Sequence, residues 1–129
     1  MRYAGIEKLC LSLPGTSVHR PWGDSRVFKV GGKMFAMIIM DGKRANGLWF
    51  KAGEASYRIL TQIDGISPCP YLARAHWVAL DSLKVLKDRE LKAYLERAHA
   101  QAASGLSKKK RAELGIAISA KDEILNPFS

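Results

Sequence analysis

Cys69, His76 and Asp81 lie close together in the chain and are the residue types of a nucleophile, its base and an orienting carboxylate. A reactive cysteine needs that base within hydrogen-bond reach and an electropositive setting, part of which Arg74 would supply. The six residues between Cys69 and His76 span about 20 Å if they run as a strand. The pair is then too far apart unless the loop folds back, and the expectation is a small buried cysteine ahead of a strand, with no catalysis. His19, His76 and His99 are widely separated, and none has a carboxylate at ligand spacing, so no metal centre is expected. Gly32-Lys33-Met34 lacks most positions of a phosphate-binding loop, including the Ser or Thr after the lysine, and reads as a turn. No cofactor is expected.

The remaining chemistry is charge. The 129 residues carry a net charge of +9, which draws a domain towards polyanions. Seven basic residues between Arg20 and Lys51 stand against Asp24 and Asp41, and Lys108-Lys109-Lys110-Arg111 forms a second focus. Lysines and arginines on strands and turns neutralise phosphates, while exposed aromatics such as Trp22 or Trp49 would stack on bases. Trp49 and Trp77 are expected first of all to pack beneath helices. The candidate nucleic-acid set is Arg26, Lys29, Lys33, Lys43, Arg44, Trp49, Lys51, Arg74, His76, Lys108, Lys109, Lys110 and Arg111.

These residues must be held by a fold, and its centre is the stretch Arg26 to Met40. Two apolar runs flank Gly31-Gly32, and paired glycines supply the positive φ that a two-residue hairpin turn requires. The turn pairs Val30 with Lys33, Lys29 with Met34, Phe28 with Phe35 and Val27 with Ala36. Phe28, Val30, Phe35, Met37 and Ile39 then share one face; Val27, Lys29, Met34, Ala36, Ile38 and Met40 share the other. Both faces of the second strand are apolar, which places it in the sheet interior. Asp41 to Gly47 reads as a polar connector, a turn or protruding wing, before a strand Leu48–Lys51 that sets Leu48 and Phe50 opposite Trp49 and Lys51.

Upstream, Ile6, Leu9, Cys10 and Leu13 have helical spacing, ended by Pro14-Gly15, and residues 14–25 read as a loop. Downstream, residues 54–62 read as a short helix with Tyr57, Leu60 and Ile63 inward, and Tyr71–Leu80 as mostly strand. Asp88 is expected to cap a helix to about Ser104, with Leu91, Tyr94, Leu95, Ala98 and Ala102 inward and Gly105 as its stop. Ser107 is expected to cap a last short helix ended by Gly115. The fold class is α+β: an antiparallel sheet with N-terminal and C-terminal helices packed against it. The expectation is one domain over residues 1–115 and a tail, 116–129.

The hydrophobic fraction of 47% and charged fraction of 26% are those of a globular domain. No apolar run reaches the roughly 20 residues that span a bilayer. Two cysteines without a CxxC spacing and no signal-like N-terminus give free thiols in the cytoplasm as the expectation.

Leu11-Ser12-Leu13-Pro14-Gly15, Pro21-Trp22-Gly23, Phe28 through Ala36, Tyr71 through Val78 and Leu106-Ser107-Lys108-Lys109-Lys110 resemble the MmcQ/YjbR family in this order, over about residues 5–115. The resemblance implies a fold similar to the frataxin-like CyaY domains and a DNA-binding, double-wing module. The chain departs from the family in its leaner acidic content after Gly15 and in its tail. Residues and resemblance meet on DNA, held by its backbone with little or no sequence specificity, since no recognition-helix, zinc-finger or RNP pattern is present. The alternative is a protein- or small-ligand-binding module on the same scaffold, also without catalysis.

Overall fold

A computed structural model of the protein describes residues 1–21 and 25–116; Trp22 and the tail beyond Ile116 lie outside the described residues. Helix α1 (Tyr3–Ser12) buries Ile6 and Cys10 and half-buries Leu9 and Leu13. It ends where Leu13 turns to extended backbone (φ −76, ψ 140), the conformation that a following proline imposes.

Residues 14–25 are not all loop. Thr16–His19 forms strand β1, paired antiparallel with β2 (Arg26–Val30). Gly15 turns the chain into it at φ +68. The turn signals on either side hide a four-residue edge strand, which is too short to show an alternation of its own.

The hairpin of β2 and β3 (Lys33–Asp41) forms around Gly31 and Gly32, both with positive φ. Val30 pairs with Lys33 and Lys29 with Met34, as the turn requires. Beyond these the register shifts by one, so that Phe28 faces Ala36, Val27 faces Met37 and Arg26 faces Ile38. Phe35 is the extra residue of a bulge, and one inserted residue exchanges the faces of everything after it. Phe28, Val30, Phe35, Ala36 and Ile38 are therefore in the main core, while Met37 shares the other face with Trp49, its cross-strand partner. The expected placement of Met37 and Ile39 with Phe28 is corrected accordingly.

Strand β4 (Arg44–Lys51) starts four residues earlier than the sequence suggests. Asp41 pairs with Arg44 across Gly42-Lys43, so this connection is a second tight hairpin and not a protruding wing. The strand bears Leu48 and Phe50 on the core face and Trp49 on the other, as alternation requires. Helix α2 (Glu54–Leu60) buries Leu60, but Ile63 lies beyond its end and is exposed.

Strand β5 (Ile66–Pro68) and strand β6 (Trp77–Leu80) complete a six-stranded antiparallel sheet in the order β1-β2-β3-β4-β6-β5. Tyr71–Ala75 is not strand. Tyr71 and His76 adopt left-handed φ of 66° and 59°, and Ala73–Ala75 makes a 3-10 turn between them. The prolines at 68 and 70 break the extended run ahead of it.

Helix α3 (Asp88–Ser104) lies on the core face over β3 and β4 and buries Leu91, Leu95, Ala98, His99, Ala102 and Ala103. Its N-cap is Lys87, not Asp88: the Glu90 carboxylate accepts from the Lys87 backbone N–H at 3.0 Å. The Asp88 carboxylate instead takes the N-terminal ammonium at 2.6 Å. Gly105 ends the helix with an ordinary φ of −80°. Ser107 caps α4 (Lys108–Glu113) as expected, accepting from the Lys110 N–H at 3.1 Å.

Candidate nucleic-acid interface

The Gly31-Gly32 turn does more than join two strands. A Cβ on Gly31 would stand 2.6 Å from the Leu106 Cδ1, so the connector between α3 and α4 is seated directly on the turn. That seat brings α4 to the end of the sheet where β3 begins at Lys33. Strand β4 is antiparallel to β3 and ends there at Lys51, opposite Trp77. The Lys33 Nζ lies 3.0 Å from where a Gly105 Cβ would be, so glycine at this position leaves room for the lysine.

Lys33, Lys51, Lys108, Lys109 and Lys110 thus gather at one end of the molecule, and none has an ion-pair partner among the described residues. A cleft of about 420 Å³ opens beside Lys33 and Lys51, lined by these two and by Met34, Leu72, Trp77 and Gln101. The Gln101 amide is held there by donating to the Ala52 carbonyl at 3.3 Å. Lys29, half-buried, joins this end from the sheet face away from α3, across from Met34.

The other expected site residues are elsewhere. Lys43 and Arg44 form the opposite end of the sheet, and the nine residues of β3 separate them from Lys33 by about 27 Å. Arg26 pairs with Glu7 of α1 at 3.2 Å, both side chains about three-quarters covered; it ties the helix to the sheet and is not displayed to a partner. Arg111 is 6% exposed and engaged within the protein. A helix lying on a domain turns one side inward, and Arg111 is on that side while its three lysine neighbours are exposed. The expectation of phosphate contact does not extend to either arginine.

Arg74 is exposed on the 3-10 turn, and His76 is half-buried with its ring 5.4 Å from that of Tyr57. Trp49 does not lie beneath a helix. It packs half-buried on the other face of the sheet with Met34, Cys69, Leu72, Trp77 and Ala79. The sequence places Tyr71 at the start of a strand and not in the candidate set, whereas the structure puts it in a loop, fully exposed at φ +66. Pro70, immediately before it, was the available sign that the strand could not extend back that far.

The loop from Cys69 to His76 does fold back, with the Cys69 N–H donating to the Trp77 carbonyl at 3.1 Å. The two side chains nevertheless part, Cys69 to the Trp77 cluster and His76 to Tyr57. Burial pushes the Cys69 thiol up to about 12, which leaves it protonated and unreactive at neutral pH. Cys10 is pushed up to about 12 as well, by burial and then by the charge of Glu7. His99 is 6% exposed and donates from Nε2 to the Pro14 carbonyl at 2.7 Å. Burial holds its pKa below the ordinary value, partly offset by that hydrogen bond. Among the described residues no three His, Cys, Asp or Glu side chains are grouped to hold a metal ion, and no helix is long and apolar enough to cross a membrane.

Two solved structures share the fold. The Deinococcus radiodurans protein DR2400, a DUF419 domain, is 24% identical with a TM-score of 0.78, over 98% of this chain and 94% of its own. A protein from Pseudomonas syringae is 18% identical with a TM-score of 0.65, over 79% of this chain and 99% of its own. No curated protein matches the chain. The YjbR family model matches residues 11–101, which contain the whole sheet and most of α3, and the chain belongs to the YjbR family.

Proposed function

We propose that this protein is a non-catalytic DNA-binding module that holds the phosphate backbone at the end of the sheet carrying Lys33, Lys51 and Lys108–Lys110. The observation that carries the reading is that the seat of Leu106 on Gly31 brings Lys108–Lys110 to the sheet end that holds Lys33 and Lys51, all five without acidic partners among the described residues. Such a group attracts polyanions and releases counterions when it binds them. Three of the lysines occupy the first turn of α4, where the positive end of the helix dipole disfavours each by about 0.3 to 1 kcal/mol at low salt. Stability alone would place acids there. Backbone contact also fits α4, whose six residues are too few for a helix that reads a groove.

The experiment is a titration of a mixed-sequence duplex at two salt concentrations, with the parent and a Lys108→Gln, Lys109→Gln, Lys110→Gln variant. The parent should bind with a steep salt dependence, and the variant should bind more weakly, its slope flattened by up to about 0.9 per lost contact. Its thermal stability should be unchanged or slightly raised. Equal affinity and slope for the two proteins would remove α4 from the interface. A parent that ignores duplex and single-stranded DNA alike at low salt would overturn the DNA reading. The alternative, a module for a protein or small ligand, draws on the half-buried cluster of Met34, Trp49 and Leu72, and its binding should resist salt.

A further inference from the structure

We infer that the cleft beside α3 receives unpaired nucleotides, with a phosphate between Lys33 and Lys51 and Tyr71 as an outer stacking surface; this rests on the nucleic-acid reading above and narrows it to single strands. Two costs coincide at Tyr71. Its φ of 66° is rarely adopted by a bulky residue, and it is fully exposed although an apolar cluster begins at the next residue, Leu72. Folding stability is served by neither, and strain of this kind concentrates where a surface is held ready for a ligand.

The loop keeps Tyr71 in that position. The Leu72 N–H donates to the Cys69 carbonyl at 3.2 Å, and the Trp77 and Ala75 N–H groups both donate to the Leu72 carbonyl, at 3.2 and 3.1 Å. The ring therefore projects from a closed, hydrogen-bonded loop, which lowers the ordering cost of binding.

What lies beside it has the composition that a single strand needs. Leu72 and Ala75 of the same loop line the cleft, whose volume of about 420 Å³ falls within the roughly 300 to 1,000 Å³ of clefts that hold small ligands. Met34, Leu72 and Trp77 give it an apolar wall, and Lys33 and Lys51 place two cations on it. Arg74, exposed on the loop, adds a third cation nearby. Aromatic surfaces combined with a cationic track are how proteins hold unpaired strands without reading sequence. A paired duplex hides its base faces and offers nothing to an exposed tyrosine or to a cleft of this size.

The test measures anisotropy of labelled dT12, rU12 and a twelve-base-pair mixed duplex with the parent, Tyr71→Ala, Tyr71→Phe, and the Lys33→Gln, Lys51→Gln double variant. The parent should bind a single strand at least tenfold more tightly than the duplex, and the preference between dT12 and rU12 identifies the sugar. Tyr71→Ala should weaken single-strand binding about fivefold to a hundredfold and leave duplex binding unchanged, while Tyr71→Phe should retain parental affinity. The double lysine variant should weaken the single strand and flatten its salt dependence. Because Tyr71 is fully exposed, its variants report on binding in a folded protein, as unfolding curves superposed on the parent will verify. If Tyr71→Ala binds dT12 and rU12 as the parent does while duplex binding persists, the inference is overturned and the DNA module stands. If no nucleic acid binds at low salt, both fall.

Discussion

Gly31→Ala tests the seat on which the basic end of the protein is built. Gly31 has φ +57, and its added Cβ would stand 2.6 and 2.8 Å from the two Cδ atoms of Leu106. Gly32 has φ +82, but a Cβ there meets nothing within 4 Å. Each alanine forces an L-residue into the left-handed region at about 1 to 2 kcal/mol. Only the first also overpacks a neighbour, which adds about 1 to 3 kcal/mol. The expected losses are therefore about 2 to 5 kcal/mol for Gly31→Ala and about 1 to 2 for Gly32→Ala. Leu106→Ala removes the clashing atoms, so in that background Gly31→Ala should cost only its backbone part, giving a coupling of about 1 to 3 kcal/mol. The assay is urea unfolding of the parent, the three single variants and the double variant, compared at equal denaturant slope. Equal losses at the two glycines, or no coupling between Gly31 and Leu106, would refute the seat. The reason for Lys33 and Lys108–Lys110 to share an end would go with it.

Phe35→Ala should cost about 3 to 5 kcal/mol, because the ring is fully buried and lies 5.4 Å from that of His99 and 6.5 Å from that of Phe28; a loss below about 1 kcal/mol in urea unfolding would contradict its place in the core. Stability should fall on acidification through His99. Its folded-state pKa lies below the ordinary 6.5, so the unfolded chain takes the proton first, and the full contribution, present above pH 6.5, is lost as the pH falls through the folded-state value. Unfolding free energies at pH 8 and pH 5 for the parent and for His99→Gln, which keeps an N–H donor for Pro14 and does not titrate, should differ in slope by that contribution. Thiol reagents at pH 7 should modify Cys10 and Cys69 in the folded protein far more slowly than a free cysteine, whereas rapid stoichiometric alkylation of Cys69 would restore a nucleophile to consideration.

The hairpin was legible because its information is local. Two adjacent glycines and the residues beside them determine the turn and its first two pairs. The bulge at Phe35 is not local. Phe35 and Ala36 both enter the main core beside α3, whose His99 meets the Phe35 ring edge-on at 5.4 Å. A helix more than fifty residues downstream thus accompanies the change of parity that inverts Met37 and Ile38. The loop from Cys69 to His76 failed in the opposite way. Its residues alternate in size as a strand would, but Tyr71 and His76 turn left-handed and the chain bonds to itself across the loop. Alternation over few residues is weak wherever proline flanks it.

The site was legible by residue type more than by position, and the division between arginine and lysine explains why. A planar guanidinium with five donors suits it to fixed contacts within a protein, whereas a strongly hydrated ammonium on a flexible stem stays in water. Four arginines follow that division, whereas Arg44 and Arg74 stay exposed. Arg26 pairs with Glu7, Arg58 with Glu54, Arg97 stacks 5.3 Å from the Tyr94 ring centroid, and Arg111 is buried. Lys33, Lys108, Lys109 and Lys110 remain exposed, and Lys51 reaches the cleft. A candidate set that counts all cations alike therefore mixes the groups that hold the fold with those left in solvent. The expected consequence is unequal loss: removing Arg26 or Arg111 should destabilise the protein, whereas removing the lysines should leave the fold intact and weaken only binding.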